Sequence, residues 1–248
     1  VTGSARLDHY RKGGDSLQGR YHFHRLFPLT LPEVGNTKDG LESLLRLGGF
    51  PEPFIAASEK RARRWSLEYQ NRVVREDLRD LEQIRDISLI ELLIQRLPEL
   101  VGSPLSYNAL REDLQVAHKS VVRWIAALEN LYFLFRIYPF GSPKIRAVKK
   151  ESKHYLFDWT SIPSEGARFE NLVACHLFGK STRKMDEDGV RSELRFFRDT
   201  DGREVDFILL ENDKPVEIIE AKLRDTEPST TLRYLKAKFP AVNAFQLL

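Results

Sequence analysis

Asp206 and the tripeptide Glu220-Ala221-Lys222 are separated by thirteen residues within VDFILLENDKPVEIIEAK (205–222), two apolar runs about a polar turn. In a strand, residues two apart share a face, so Glu220 and Lys222 point one way and Ala221 the other. If Asp206 stands opposite Glu220 across a hairpin, two carboxylates lie side by side and repel unless a cation sits between them. Oxygen donors with positions left for water and phosphate suit Mg2+ or Mn2+, with Asp206 and Glu220 as the metal ligands. The chemistry of such a centre is phosphodiester cleavage: the metal activates water, and Lys222 orients the nucleophile or offsets developing charge. Glu170, in the helical stretch RFENLVACHLF, can add a further carboxylate. The competing reading is a solvated hairpin with charges at strand ends, but both apolar runs look buried, and buried charges need a partner.

Register decides between these readings. Pairing Asp206 with Glu220 places Glu211 opposite Pro215 and leaves a three-residue loop, Asn212-Asp213-Lys214. A two-residue Asn-Asp loop without a bulge turns Asp206 to the other face.

The surrounding elements must supply that hairpin. Residues 1–33 read as a strand end, a polar stretch and then a strand, RYHFHRLFPL, closed by Pro28 and Pro32. Residues 41–100 are helical in pattern: one helix stops at Gly48-Gly49, another carries Trp65, Tyr69, Val73 and Val74, and a third reaches Pro98. Residues 101–150 have the order of a winged helix-turn-helix. Ser106 caps a first helix, a turn at 115–118 follows, and SVVRWIAALENL leads into the strand YFLFRIYPF. Its recognition helix offers Lys119, Ser120 and Arg123 to nucleic acid, with Trp124 facing inward, although many such units dock proteins instead. The run SPKIRAVKKESK (142–153) has Lys144, Arg146, Lys149, Lys150 and Lys153 to follow a phosphate backbone, or simply a solvated face. Residues 151–248 read as strand (154–159), helix (165–180), three strands (193–199, 203–211, 214–222), helix (228–238) and strand (241–247).

The helix bearing Glu170, three strands bearing Asp206 and Glu220-x-Lys222, then helix and strand resemble the PD-(D/E)xK nuclease superfamily. The whole chain resembles bacterial and archaeal AAA-type ATPases with a C-terminal region of unknown function. The likeness rests on Thr2-Gly3-Ser4, Leu17-Gln18-Gly19-Arg20, Phe27-Pro28-Leu29, Gly48-Gly49-Phe50-Pro51-Glu52, Trp65 and Tyr69 with Arg75-Glu76-Asp77, and Lys153-His154-Tyr155 with Asp158. The resemblance implies a mixed α+β fold in four parts: an ATPase-core remnant (1–33), a helical lid-like segment (34–100), the winged unit (101–150) and a restriction-endonuclease-like domain (151–248). It also implies that Ser4 lies near a sensor position and that Arg20 is an arginine-finger candidate for a neighbour's ATP. There is no G-x-x-x-x-G-K-[ST] loop. In FGKST (178–182) the first glycine position is Ala174, within a helical stretch, so ATP is expected only with a full-length protein.

Composition bounds the partners. A net charge of +3 permits nucleic-acid binding without arguing for it. The longest apolar stretch, 131–140, is too short for a membrane span, and the lone Cys175 suits a reducing cytoplasm and core packing. The chain begins without methionine, as if entering a fold partway. Two functions stand: a nuclease-like enzyme acting on nucleic acid, or an inactive scaffold for DNA binding, protein binding or homo-oligomer formation.

Overall fold

The computed structural model describes residues 24–78, 87–141, 152–224 and 227–248. Helix α1 (Lys38–Leu47) is capped by Thr37, whose side chain accepts from the Gly40 N–H, and it ends at Gly48. α2 (Pro51–Ile55) opens on proline, which has no N–H to leave unpaired at a helix start. α3 (Glu59–Arg72) runs into a π-helical turn, Val73–Asp77, and α4 (Ile87–Arg96) into a 3-10 turn, Leu97–Leu100.

The expected helix–turn–helix follows. α5 (Tyr107–Asp113) has Ser106 as its cap, and α6 (His118–Asn130) turns Trp124 inward, 2% exposed. β1 (Leu134–Pro139) pairs antiparallel with β2 (Lys153–Leu156), and a bridge joins Pro104 to Lys153. This wing is continuous with the C-terminal strands, because β1 runs parallel to β3 (Ser192–Arg198) at Tyr138 and Pro139. β3, β4 (Glu204–Glu211) and β5 (Lys214–Ala221) form an antiparallel meander, and β6 (Asn243–Leu247) lies parallel to β5. The sheet order is β2-β1-β3-β4-β5-β6, so segments 101–150 and 151–248 share one sheet. With α7 (Glu165–Asp188) and α8 (Thr230–Lys238), the described residues hold eight helices and a six-stranded mixed sheet, a mixed α+β fold.

Two cores flank the meander. Phe207, Leu209 and Ile219 join Phe169 and Leu172 of α7 in the larger core, while Val205, Ile208 and Ile218 join Leu232 and Leu235 of α8 in the smaller. One expectation fails: residues 24–29 form no strand. Arg25 pairs with Asp186 of α7 at 2.7 Å, Phe27 meets the Phe178 ring edge-on, and the Leu29 N–H donates to the Gly49 carbonyl. The segment is therefore pinned to a helix by side chains rather than to a sheet by a ladder.

Gly49 shows why that joint needs glycine. A Cβ there would stand 2.5 Å from the Trp159 ring and 2.7 Å from Pro28. Trp159 is fully buried and donates its indole N–H to the Leu44 carbonyl at 2.7 Å, so it has nowhere to move. Gly49→Ala is expected to cost about 2 kcal/mol, read as a lower urea midpoint at unchanged slope.

Candidate active site

The hairpin reaches the required register by an unexpected route. Asn212 and Asp213 have φ of 49° and 65°, and this two-residue turn pairs Glu211 with Lys214, not with Pro215. Asn and Asp tolerate left-handed backbone, which is why the shorter loop forms in place of the three-residue one. Leu210 then faces Pro215 while Leu209 faces Glu217, leaving Val216 as an extra residue, a β-bulge. The bulge moves the register by one, to Phe207 opposite Ile219, where the ladder ends, and beyond it the Ala221 N–H reaches the Asp206 carboxylate. A second irregularity lies on the other edge of β4, where Asp206 and Phe207 together oppose the single Phe196. Val205 and Ile208, three residues apart, consequently reach the same core.

The four candidate side chains converge. Asp206 Oδ2 accepts the Ala221 N–H at 2.9 Å, and Lys222 Nζ lies 3.2 Å from Glu220 Oε1. Glu220 is buried, and its Oε2 has no hydrogen-bond partner among the described residues. Glu170 Oε1, on α7, accepts the Tyr155 hydroxyl at 2.7 Å. Gly102, with φ of 78°, brings bare backbone against this carboxylate: a Cβ there would sit 2.9 Å from Glu170 Oε1.

Burial, then the charge of Asp206, pushes the Glu170 carboxyl up to about 7, against the pull of Lys153 and Tyr155. Burial also raises Asp206, more than the Ala221 N–H and the ammoniums of Lys153 and Lys222 lower it. For Lys222, partial burial works against the charge, but the hydrogen bond and charge of Glu220 outweigh it and its pKa rises. Lys222 thus stays an ammonium, while Asp206 and Glu170 ionise reluctantly.

The Glu170 shift has a measurable consequence. Because its folded pKa lies above the ordinary 4.5, the folded state holds the proton more tightly. That contribution to stability is complete below about pH 4.5 and is lost as pH rises through about 7. In metal-free buffer, wild-type stability is expected to fall by on the order of 2 kcal/mol across this window, and Glu170→Gln to flatten the curve. Urea denaturation from pH 4.5 to 8 reads both; parallel curves for the two proteins contradict the assignment.

Among the described residues, no group of three or more His, Cys, Asp or Glu side chains is placed to hold a metal ion. If a divalent cation binds here, Asp206 and Glu220 are the carboxylates that would hold it, with the remaining positions left to solvent, as Mg2+ commonly keeps. The unpartnered Glu220 Oε2 is a buried oxygen that a cation would satisfy.

Sequence reasoning missed three neighbours. Lys153, read as the end of a basic run, is not on the surface: it is 1% exposed, with Nζ 2.5 Å from Glu204 Oε1 and 3.8 Å from Glu170 Oε1. Tyr155 and Glu204 complete the group. The period-2 spacing of Lys153 and Tyr155 on β2 was the available signal. Asp158 serves packing: it accepts from Ser66 of α3 and from Thr160, fixing the turn after β2.

The remaining candidates lie elsewhere. Lys119 and Arg123 are exposed and Ser120 is half-buried on α6, and they join none of the contacts above. Lys144, Arg146, Lys149 and Lys150, together with Ser4 and Arg20, fall outside the described residues. Residues 178–182 lie inside α7, so FGKST forms no phosphate-cradling turn. Cys175 packs in the core, its thiol pushed up by burial. No helix among the described residues is long and apolar enough to cross a membrane.

Residues 165–247, which include every carboxylate of the site, match a domain of unknown function (DUF4143) that is generally associated with AAA-ATPase-containing proteins. No curated protein and no solved structure matches the chain. Residues 38–161, half of the chain, match another domain of unknown function (DUF8612), and the chain belongs to that family.

Proposed function

We propose that this chain works within an AAA-type ATPase and carries a Mg2+- or Mn2+-dependent phosphodiesterase site that acts on nucleic acid. The reading is supported by the bulged register that sets Phe207 opposite Ile219, by the Ala221 N–H on the Asp206 carboxylate, and by Lys222 bonded to Glu220. When bound, the metal supplies Lewis-acid polarisation and an activated water. Asp206 and Glu220 would hold it. Lys222, its side chain 42% exposed, keeps its ammonium toward solvent, where it orients the attacking water or offsets phosphate charge. Glu170, protonated more readily than an ordinary carboxyl, can hold a proton near the leaving oxygen. The α6 face with Lys119, Ser120 and Arg123, and the run Lys144, Arg146, Lys149 and Lys150, are assigned to the phosphate backbone. Ser4 and Arg20 are assigned to ATP sites completed between copies in a cytoplasmic homo-oligomer.

A second reading, a nuclease-like scaffold that binds DNA or protein without cutting, is favoured by one observation. The Lys153 ammonium already stands among the carboxylates, where a metal would otherwise supply the positive charge. Incubation with branched and linear DNA and Mg2+ or Mn2+ separates the two. The enzyme reading expects metal-dependent cleavage that Lys222→Ala slows by roughly a hundredfold. Tight, steeply salt-dependent DNA binding with no cleavage under either metal selects the scaffold.

A further inference from the structure

Lys153 is the least ordinary residue of the molecule. Lysine is almost never fully buried unless it is paired, because desolvating an ammonium costs several kcal/mol. Here β2 carries it across the sheet: its Nζ lies 5.4 Å from the centre of the Phe196 ring on β3 and ends against Glu204 on β4 and Glu170 on α7. Glu204 is itself shared with the more exposed Arg198, 3.7 Å away, so Lys153 is the buried cation of the group and Arg198 its rim. Two residues along β2, Tyr155 holds the same Glu170 oxygen. The strand that places both groups lies in the DUF8612 match, whereas Glu170, Glu204, Asp206 and Glu220 lie in the DUF4143 match. The carboxylates of one segment are therefore held by side chains of the other.

Resting on the metal-site reading above, we infer that Lys153 is a positioning residue of that site: a tethered cation that holds Glu170 and Glu204 and balances the carboxylates around Asp206 until a divalent cation shares that work. A lysine suits this role. Its single charge on a flexible stem can withdraw toward Glu204, whereas a carboxylate cluster with no internal cation repels itself when the metal is absent. The arrangement lets the fold assemble before metal arrives.

The test compares wild type, Lys153→Met, Lys153→Gln and Lys153→Arg in the whole chain, using Mn2+ as probe, with melting temperature and Mn2+ affinity as readouts. Without metal, the two neutral variants are expected to melt lower than wild type, and Lys153→Arg to recover most of the loss. With Mn2+, the neutral variants are expected to bind roughly tenfold tighter than wild type and to regain melting temperature, since the competing charge is gone. If neither neutral variant folds alone, refolding on Mn2+ addition supports the inference, and failure to refold overturns it. Equal Mn2+ affinity in wild type and the neutral variants, abolished by Asp206→Asn, overturns the role of Lys153 and leaves the metal site standing. No Mn2+ binding by any of the proteins overturns the metal reading and this inference with it.

Discussion

Asp206→Asn is expected to lower metal-dependent cleavage by about a thousandfold while leaving the protein at least as stable as wild type. The two effects have one cause. Asp206 is a carboxylate held among Glu170 and Glu220, and burial raises its pKa, so the folded state disfavours its charge. A folded pKa above the ordinary 3.8 means a stabilising contribution that is present at acid pH and lost as pH rises through the folded value. Once ionised, Asp206 therefore weakens the fold. Asparagine removes the charge and keeps an oxygen for the Ala221 N–H, now 2.9 Å from Asp206 Oδ2. The gain is expected at alkaline pH and shrinks as pH falls toward the ordinary carboxylate range. Urea melts at alkaline and at acid pH, run beside the cleavage assay, check it. A loss of stability at alkaline pH would show that the carboxylate is structural. Activity bought with stability is the usual signature of a site under functional demand.

Asn171→Leu is expected to act in the opposite way, destabilising the chain by about 4 kcal/mol. β2 is an edge strand, the first in the sheet order, so Leu156 has backbone groups with no neighbouring strand. Asn171, fully buried on α7, replaces that strand: its Oδ1 accepts the Leu156 N–H at 2.8 Å and its Nδ2 donates to the Leu156 carbonyl at 2.7 Å. Leucine keeps the branched outline but is bulkier; it strands the Leu156 N–H in the core, at about 1–3 kcal/mol, and leaves the Leu156 carbonyl only the weak Cys175 thiol donor, 3.3 Å away. The same clamp fixes β2 beside Glu170, so the variant should also loosen the Tyr155 hydroxyl from Glu170. Chemical denaturation at fixed pH measures the loss. A change below about 1 kcal/mol would mean that water or a rearranged β2 satisfies Leu156.

The order of most elements, the caps at Ser106 and Gly48, and the pairing of Glu220 with Lys222 on one strand were legible in the chain. These follow from local patterning: period-3.6 stripes, cap residues and alternation within strands. The route to the register was not legible. Asn212-Asp213 favours a two-residue turn on local grounds, and local grounds alone turn Asp206 to the wrong face. The bulge at Val216 that corrects this depends on how β4 and β5 pair with strands on either side, which no short window contains. The stretch 24–29 failed for a related reason: alternation suggested a strand, but Arg25 and Phe27 have their partners on α7 rather than on a neighbouring strand. Lys153 was misread because a basic run looks solvated in a sequence. Only the fold reveals that β2 carries its last lysine under the sheet surface to Glu204.

The central claim is that Asp206 and Glu220 form a divalent-cation site. Anomalous diffraction from crystals of the chain soaked in Mn2+ tests it without relying on turnover. The expected result is a manganese peak at coordination distance from carboxylate oxygens of both residues, lost in Asp206→Asn. A saturating soak with no peak there, Lys153 still occupying the cluster, would contradict the metal site and leave the scaffold reading in its place.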